Sequence, residues 1–160
     1  NFTIRDCRSV NALSVVYLLN NAFRAHKWWN EITVNDLERR LHREELHCLV
    51  VIDRRGSPLG YVDFEVFRAL DDGRTAEIGL LAVDPKVQGR GIGKALLGQA
   101  VKALKRMGVE RVIVDSVAGR EGFYMRLGFK TQDRWSVITT IINALPQALP
   151  FIEKFNTYCI

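Results

Sequence analysis

The sequence predicts a single α/β domain over residues 1–160, α+β in arrangement, with a mixed and mostly antiparallel sheet of about six to seven strands and helices on both faces. Three observations predict it. Strand-like segments between His47 and Val83 are separated by turn-rich runs at residues 53–58 and 69–74, the pattern of antiparallel hairpins. A strand ending at Val83, a long helical stretch and a strand from Val109 make a β-α-β unit, whose two strands run parallel. Two amphipathic helical stretches precede the first hairpin, so the sheet has helices to cover it on more than one side.

Each element has a local reason. Residues 2–5 read as a short strand, and Asp6 or Ser9 can cap a helix reaching about Arg24. Leu13, Val16, Tyr17 and Phe23 recur on it at helical spacing, with Asn20 the polar exception on that stripe. Residues 24–32 carry Trp28 and Trp29 and read as a connection before a second helix over about residues 34–43. Residues 47–52 (HCLVVI), 60–67 and 75–83 (TAEIGLLAV) are strands. Asp84-Pro85 stops the last, because proline has no N–H for a ladder and biases its predecessor away from helix. Residues 90–107 form a strong helix with Ile92, Leu96, Ala100, Ala103, Leu104 and Met107 on its apolar stripe and Gly108 as its left-handed stop. Residues 109–115 (VERVIVD) return to strand, and residues 120–127 make a short helix ended by Gly128. One or two final strands run from Phe129 through Trp135 to Ile142, and residues 143–160 show no clear pattern.

Composition narrows the functional classes. With 48% apolar and 26% charged residues the chain reads as an ordinary soluble domain. No run of 18 apolar residues occurs, so no membrane partner is expected, and residues 1–6 read as a strand and not as a leader peptide. The net charge of +5 suits a polyanion or a phosphate-bearing ligand, but no recognised nucleic-acid module accompanies it. Cys7, Cys48 and Cys159 are scattered and odd in number, which argues against a disulfide framework and for a reducing, cytoplasmic setting. Neither they nor His26, His42 and His47 show metal-ligand spacing, so no metal is expected.

The chemistry concentrates in Gln88-Gly89-Arg90-Gly91-Ile92-Gly93-Lys94, between a strand and the long helix. Glycine permits positive φ and close approach of another group. The helix start adds unpaired N–H groups and the positive end of the dipole. Together they predict an anion site suited to a phosphate or pyrophosphate, with Lys94 adding charge. The turn is not a Walker loop, because Gln88 stands where its first glycine belongs and Ala95 follows Lys94. Nor is it a dinucleotide fingerprint, since the sixth position from Gly89 is Lys94 and from Gly91 is Leu96.

Gln88-x-x-Gly91-x-Gly93, preceded by Leu81-Ala82-Val83-Asp84-Pro85, resembles the acetyl-CoA signature of the GNAT superfamily of N-acetyltransferases. Phe123-Tyr124-Met125-Arg126-Leu127-Gly128-Phe129 resembles the family's second motif, in matching order and spacing. The resemblance covers about residues 76–130 well and the amino-terminal half by element order alone. It implies a sheet splayed between its fourth and fifth strands. It also implies acetyl-CoA as co-substrate, with the pyrophosphate on the turn at Gln88, Gly89, Arg90, Gly91, Ile92, Gly93 and Lys94. The pantetheine arm would add like an extra strand along Leu81, Ala82 and Val83, where main-chain hydrogen bonds bind without side-chain identity. Gly79 marks either a bulge in that strand or a close packing contact.

The same resemblance implies that Tyr124 protonates the departing thiolate and that Glu77, eleven residues before Gln88, takes a proton from the attacking amine. Read from the residues alone, Tyr124 fits a core aromatic as well, and Glu77 a solvent-facing strand carboxylate. Ala118 and Glu121 depart from the asparagine and alanine that many members carry there, which puts one polar contact to the cofactor in question. The acceptor site is expected where the first helices and the final strands meet, lined by Phe23, Trp28 and Trp29 with His26, whose aromatic faces suit a cationic amine; core packing for one tryptophan and surface for the other is the plainer reading of the pair. Two readings follow: an N-acetyltransferase working by direct attack in a ternary complex on a small-molecule or protein amine, and a catalytically degenerate acyl-CoA-binding regulatory module. Tyr124 and Glu77 favour the enzyme. The basic charge admits one nucleic acid, aminoacyl-tRNA as acceptor, and a homodimer is compatible with either reading.

Overall fold

The computed structural model describes residues 2–68, 73–115, 120–132 and 137–141. The chain opens with β1 (Thr3–Asp6), α1 (Ala12–Phe23) and α2 (Val34–Leu41). Then come β2 (Leu46–Ile52), β3 (Pro58–Arg68), β4 (Arg74–Val83), α3 (Ile92–Arg106) and β5 (Arg111–Asp115). It closes with α4 (Glu121–Met125), β6 (Lys130–Gln132) and β7 (Val137–Ile141). The strands form one seven-stranded sheet in the order β1-β2-β3-β4-β5-β7-β6. The β4–β5 pair is parallel and the other pairs are antiparallel, as the hairpins and the β-α-β crossover require. Trp135, residues 143–160 and most of the 69–74 turn lie outside the described residues.

Alternation along β3 feeds a core on each face. Val62, Phe64 and Val66 point to the α3 side with Ile78, Leu96, Ala100 and Leu104, all buried. Tyr61 points the other way, into a cluster with Val50 of β2, Ala82 of β4, and Val15, Leu19 and Phe23 of α1. Ile92, Leu96, Ala100 and Leu104 of α3 are buried as its stripe predicts, and Gly108 ends the helix at φ 73°.

The start of α1 differs from expectation. Asp6 accepts from the Arg8 N–H (2.7 Å) and caps only a single 3-10 turn, Cys7–Ser9. The cap of α1 is Asn11, which accepts from the Ser14 N–H (3.1 Å). Its stripe differs in part: Val16 and Phe23 are buried as expected, but Val15, Leu18 and Leu19 are buried with them, while Leu13 and Tyr17 are 66% and 71% exposed. Apolar residues occupy more than one side of this helix, so periodicity alone permits two stripes. The sheet takes the one that carries Val15, Leu18 and Leu19. Asn20 is no anomaly on the helix surface. Its amide donates to the Ile32 carbonyl (2.9 Å) and accepts from the Ile32 N–H (2.9 Å) and the Trp29 indole (3.1 Å), clamping the connection to α2.

The cysteine expectation is corrected. The antiparallel register Asp6↔Leu49 sets the next residue, Cys7, opposite Cys48. The two form a disulfide with Cα atoms 5.5 Å apart. Sequence separation hid a pair that strand pairing brings together, and the cytoplasmic expectation loses its cysteine argument. Among the described residues no helix is long and apolar enough to cross a membrane. The one grouping of potential metal ligands there, Asp6 with Cys7 and Cys48, has both thiols committed to the disulfide.

Candidate active site

The site begins with an irregularity in β4. Val62 pairs with Leu81 and Phe64 with Ile78, so two steps along β3 face three along β4. The extra residue is a bulge at Gly79–Leu80, opposite Asp63. Asp63 is fully buried, and its Oδ1 accepts the Leu80 N–H (2.9 Å) that the regular ladder would otherwise hold. The same carboxylate accepts from Arg40 Nε (2.6 Å), Arg40 Nη2 (2.8 Å) and the Tyr61 hydroxyl (2.8 Å). The hydrogen bonds to Asp63 hold the Arg40 guanidinium above its ordinary pKa, against some desolvation. Burial, and then the Asp63 charge, push the Tyr61 phenol up. Gly79 is both bulge and packing residue, since a side-chain carbon there would overlap Asp63 Oδ1 and Arg40 Nη2.

At the bulge the sheet opens. The parallel ladder runs from Thr75↔Arg111 to Ile78↔Val114 and stops, so residues 79–83 of β4 have no β5 partner among the described residues. After Val83 the chain turns through Pro85–Val87, capped by Asp84, whose Oδ1 accepts the Lys86 N–H (2.9 Å). Gln88 Nε2 donates back to the Val83 carbonyl (3.3 Å), tying the turn to the strand end. Gly89 and Gly91 take φ 77° and 82°, where a side chain would strain the backbone although space is free around both. No side chain caps α3. Its first i→i−4 bond is donated by Ala95 to Gly91 (2.9 Å), so the turn's amides lie ahead of the helical ladder at the positive end of the dipole.

The open edge and the glycine turn share one cavity of about 920 Å³. Of the residues predicted for the cofactor, Leu81, Ala82, Val83, Gln88, Gly89, Gly91, Ile92, Gly93 and Lys94 line it, and Arg90 does not. Glu77, Phe123, Tyr124, Arg120 and Arg126 line it too. Tyr124 is 8% exposed, and burial pushes its phenol up to about 12. Its hydroxyl has no hydrogen-bond partner among the described residues, so it opens onto the cavity as a donor that stays protonated at neutral pH.

Ala22, Phe23, His26, Trp28 and Arg40 close the far side. Phe23 meets Trp28 at 5.5 Å between ring centroids, and His26 meets Trp28 at 5.3 Å. Trp29 is not on the cavity wall; it packs on Phe23 (4.7 Å) behind it, held by Asn20. Ala118 lies outside the described residues. Arg40 and Asp63 escape a reading of the sequence as site residues. Arg40 sits in the charged run of α2, where an exposed face is the default. Asp63 carried a signal, a carboxylate inside the strand YVDFEVF on the face it shares with Tyr61.

Solved acetyltransferases share this fold. A GNAT family acetyltransferase from Brucella melitensis, solved in complex with acetyl-CoA, matches with a TM-score of 0.71 at 23% identity over 88% of each chain. A GNAT family N-acetyltransferase from Escherichia coli in complex with CoA matches at 0.70 and 22% identity, over 90% of this chain and 84% of that one. The model of the acetyltransferase (GNAT) family matches residues 13–129, and the chain belongs to that family. Among curated relatives, an uncharacterized N-acetyltransferase of Methanocaldococcus jannaschii is 37% identical over 52% of this chain and 39% of its own length. A mycothiol acetyltransferase of Salinispora tropica is 30% identical over 72% of this chain and 39% of its own. The L-methionine sulfoximine/L-methionine sulfone acetyltransferase of Salmonella typhimurium is 28% identical over 78% and 75%. The chain thus spans about two fifths of the length of the first two.

Proposed function

We propose that this chain transfers the acetyl group of acetyl-CoA to a primary amine by direct attack within a ternary complex. The observation that carries the reading is the coincidence of two binding features in one cavity: the unpaired edge of β4 after Ile78 and the uncapped start of α3 behind Gly89 and Gly91. An extended arm with amide groups fits the first, and a pyrophosphate fits the second. Acetyl-CoA supplies the activated acyl group as a thioester. The residues around it do the rest. The turn amides and Lys94 would hold the phosphates, and residues 79–83 would align the arm. Glu77 would accept the proton that a primary ammonium must lose before it can attack. Tyr124, kept neutral by burial, would give its proton to the sulfur as the C–S bond breaks. Every group invoked borders the same cavity, and no covalent enzyme intermediate is needed.

The test is a CoA-release assay over an amine panel of amino acids, peptides, polyamines, aminoglycosides and aminoacyl-tRNA, with acetyl-CoA affinity measured by calorimetry. Release that depends on one amine class is the expected result. Tight acetyl-CoA binding with silence across the panel would favour the regulatory binding module, and absence of binding would overturn both readings.

A further inference from the structure

We propose that the acceptor end of the cavity is built for an α-amino acid, with Arg40 taking its carboxylate and Glu77 facing its amine. This rests on the acetyl-transfer reading. Arg40 stands on α2 with its side chain 30% exposed at the cavity wall. Asp63 bonds Nε and Nη2, which uses two of the five N–H donors of the guanidinium, and no other acceptor is bonded to it among the described residues. The Nη1 edge is therefore available for a second carboxylate. Asp63 is itself locked by the Tyr61 hydroxyl and the Leu80 N–H, so the fork is fixed in direction before any ligand arrives. A buried ion pair is a poor device for stability alone. Here it fixes a planar donor group at the wall of a binding cavity.

Gly79 brings that fork against β4, since a side chain at this position would displace Arg40. Glu77 lies on the same face of the strand two residues earlier, about 7 Å away. Glu77, Gly79 and Arg40 border both the large cavity and an adjoining recess of about 140 Å³, whose other walls are Arg43, Leu46, Asp63 and Glu65. Within this group Asp63 pairs with Arg40, and Glu65 pairs with Arg43. Glu77 has no ion-pair partner among the described residues. The surface thus offers one uncompensated carboxylate beside one fixed guanidinium, the complement of an ammonium and a carboxylate one carbon apart. A polyamine would meet Glu77 equally well but would set a second positive charge near Arg40. The rings of Phe23 and Trp28 face the same space and would receive the amino acid's side chain.

The experiment compares kcat/KM for amino acids and their decarboxylated counterparts, L-phenylalanine against phenethylamine and L-leucine against isoamylamine. A charge-assisted, forked contact predicts a preference for the acid of about tenfold or more. Arg40→Gln should collapse that ratio toward one, and Arg40→Lys, which keeps the charge without the fork, should retain part of it. A ratio measured on one protein sample is insensitive to partial loss of folded enzyme. In parallel, L-phenylalanine is titrated calorimetrically into CoA-saturated protein, where binding is expected in the wild type and not in Arg40→Gln. Equal or faster transfer to the decarboxylated amines, or a ratio that survives Arg40→Gln, overturns the carboxylate subsite and leaves acetyl transfer standing. Amino-acid binding without transfer to any amine keeps the subsite and overturns the transferase reading; neither binding nor transfer overturns both.

Discussion

Replacing Asp63 with asparagine removes one charge and almost no volume, so it isolates the electrostatics of the bulge. The carboxylate is surrounded by four donors: two from Arg40, the Tyr61 hydroxyl and the Leu80 N–H. With the asparagine oxygen at the Oδ1 position, the bonds from Leu80 and Arg40 Nη2 survive. The amide NH₂ then faces Arg40 Nε and Tyr61. The tyrosine hydroxyl can turn and accept, but the Arg40 N–H cannot. Breaking a buried ion pair costs about 3–5 kcal/mol when the remaining charge is trapped. Arg40 is 30% exposed and can turn toward water, which brings the expected loss below that range, to about 2–3 kcal/mol. Urea unfolding followed by tryptophan fluorescence should show the midpoint fall by about 1–2 M at an unchanged slope. Hydrogen exchange should keep the Leu80 amide protected in Asp63→Asn and expose it in Asp63→Ala. A loss below about 1 kcal/mol in Asp63→Asn would refute the weight given to the ion pair, and protection at Leu80 that is indifferent to Asp63→Ala would refute the claim that this carboxylate holds the bulge.

Four further outcomes are expected. Gly91→Glu should lower acetyl-CoA affinity by about a hundredfold or more in calorimetry, because it sets a like charge at the anion site on a backbone at φ 82°; unchanged affinity would remove the phosphate cradle. Tyr124→Phe should reduce turnover with little change in CoA affinity. It should also flatten the alkaline stability profile, because a phenol raised from 10.0 to about 12 stabilises the fold fully below pH 10 and loses that contribution as pH rises through 12, at most about 3 kcal/mol. Glu77→Gln should alter the acid limb of the pH–rate profile, and an unaltered limb would dismiss it as the base. Thiol titration of unfolded, unreduced protein should leave Cys7 and Cys48 silent, and reduction should cost up to about 4 kcal/mol by loop closure across their separation of 41 residues.

Sequence patterns located the sheet, the crossover helix and the glycine turn because each rests on local chemistry. Alternation marks β3, proline stops β4, and positive φ selects Gly91. What they could not locate depends on register. Cys7 meets Cys48 only through the pairing of β1 with β2, and Asp63 takes the Leu80 N–H where the β3–β4 register slips at Gly79–Leu80. The two adjacent tryptophans illustrate the same limit. The sequence allows one of Trp28 and Trp29 to pack in the core and the other to stay at the surface without saying which; a hydrogen bond to Asn20 goes with Trp29 behind the wall, and Trp28 is half exposed on it. Leu13 and Tyr17 show the converse, a legitimate helical stripe that the sheet declined in favour of Val15, Leu18 and Leu19.

The half-paired β4 also sets a limit on visitors by thickness. A strand in the middle of a sheet is ordinarily closed to other chains, whereas a border strand recruits them without discrimination. Residues 79–83 are neither: their main-chain groups face a crevice whose other walls include Phe123, Tyr124 and the first turn of α3. A single slender filament can slide into such a crevice and satisfy the backbone there. A hairpin or a foreign sheet, twice as wide and trailing side chains on both faces, is turned away, so the molecule keeps an adhesive strip in its interior without the hazard of sticking to its own kind.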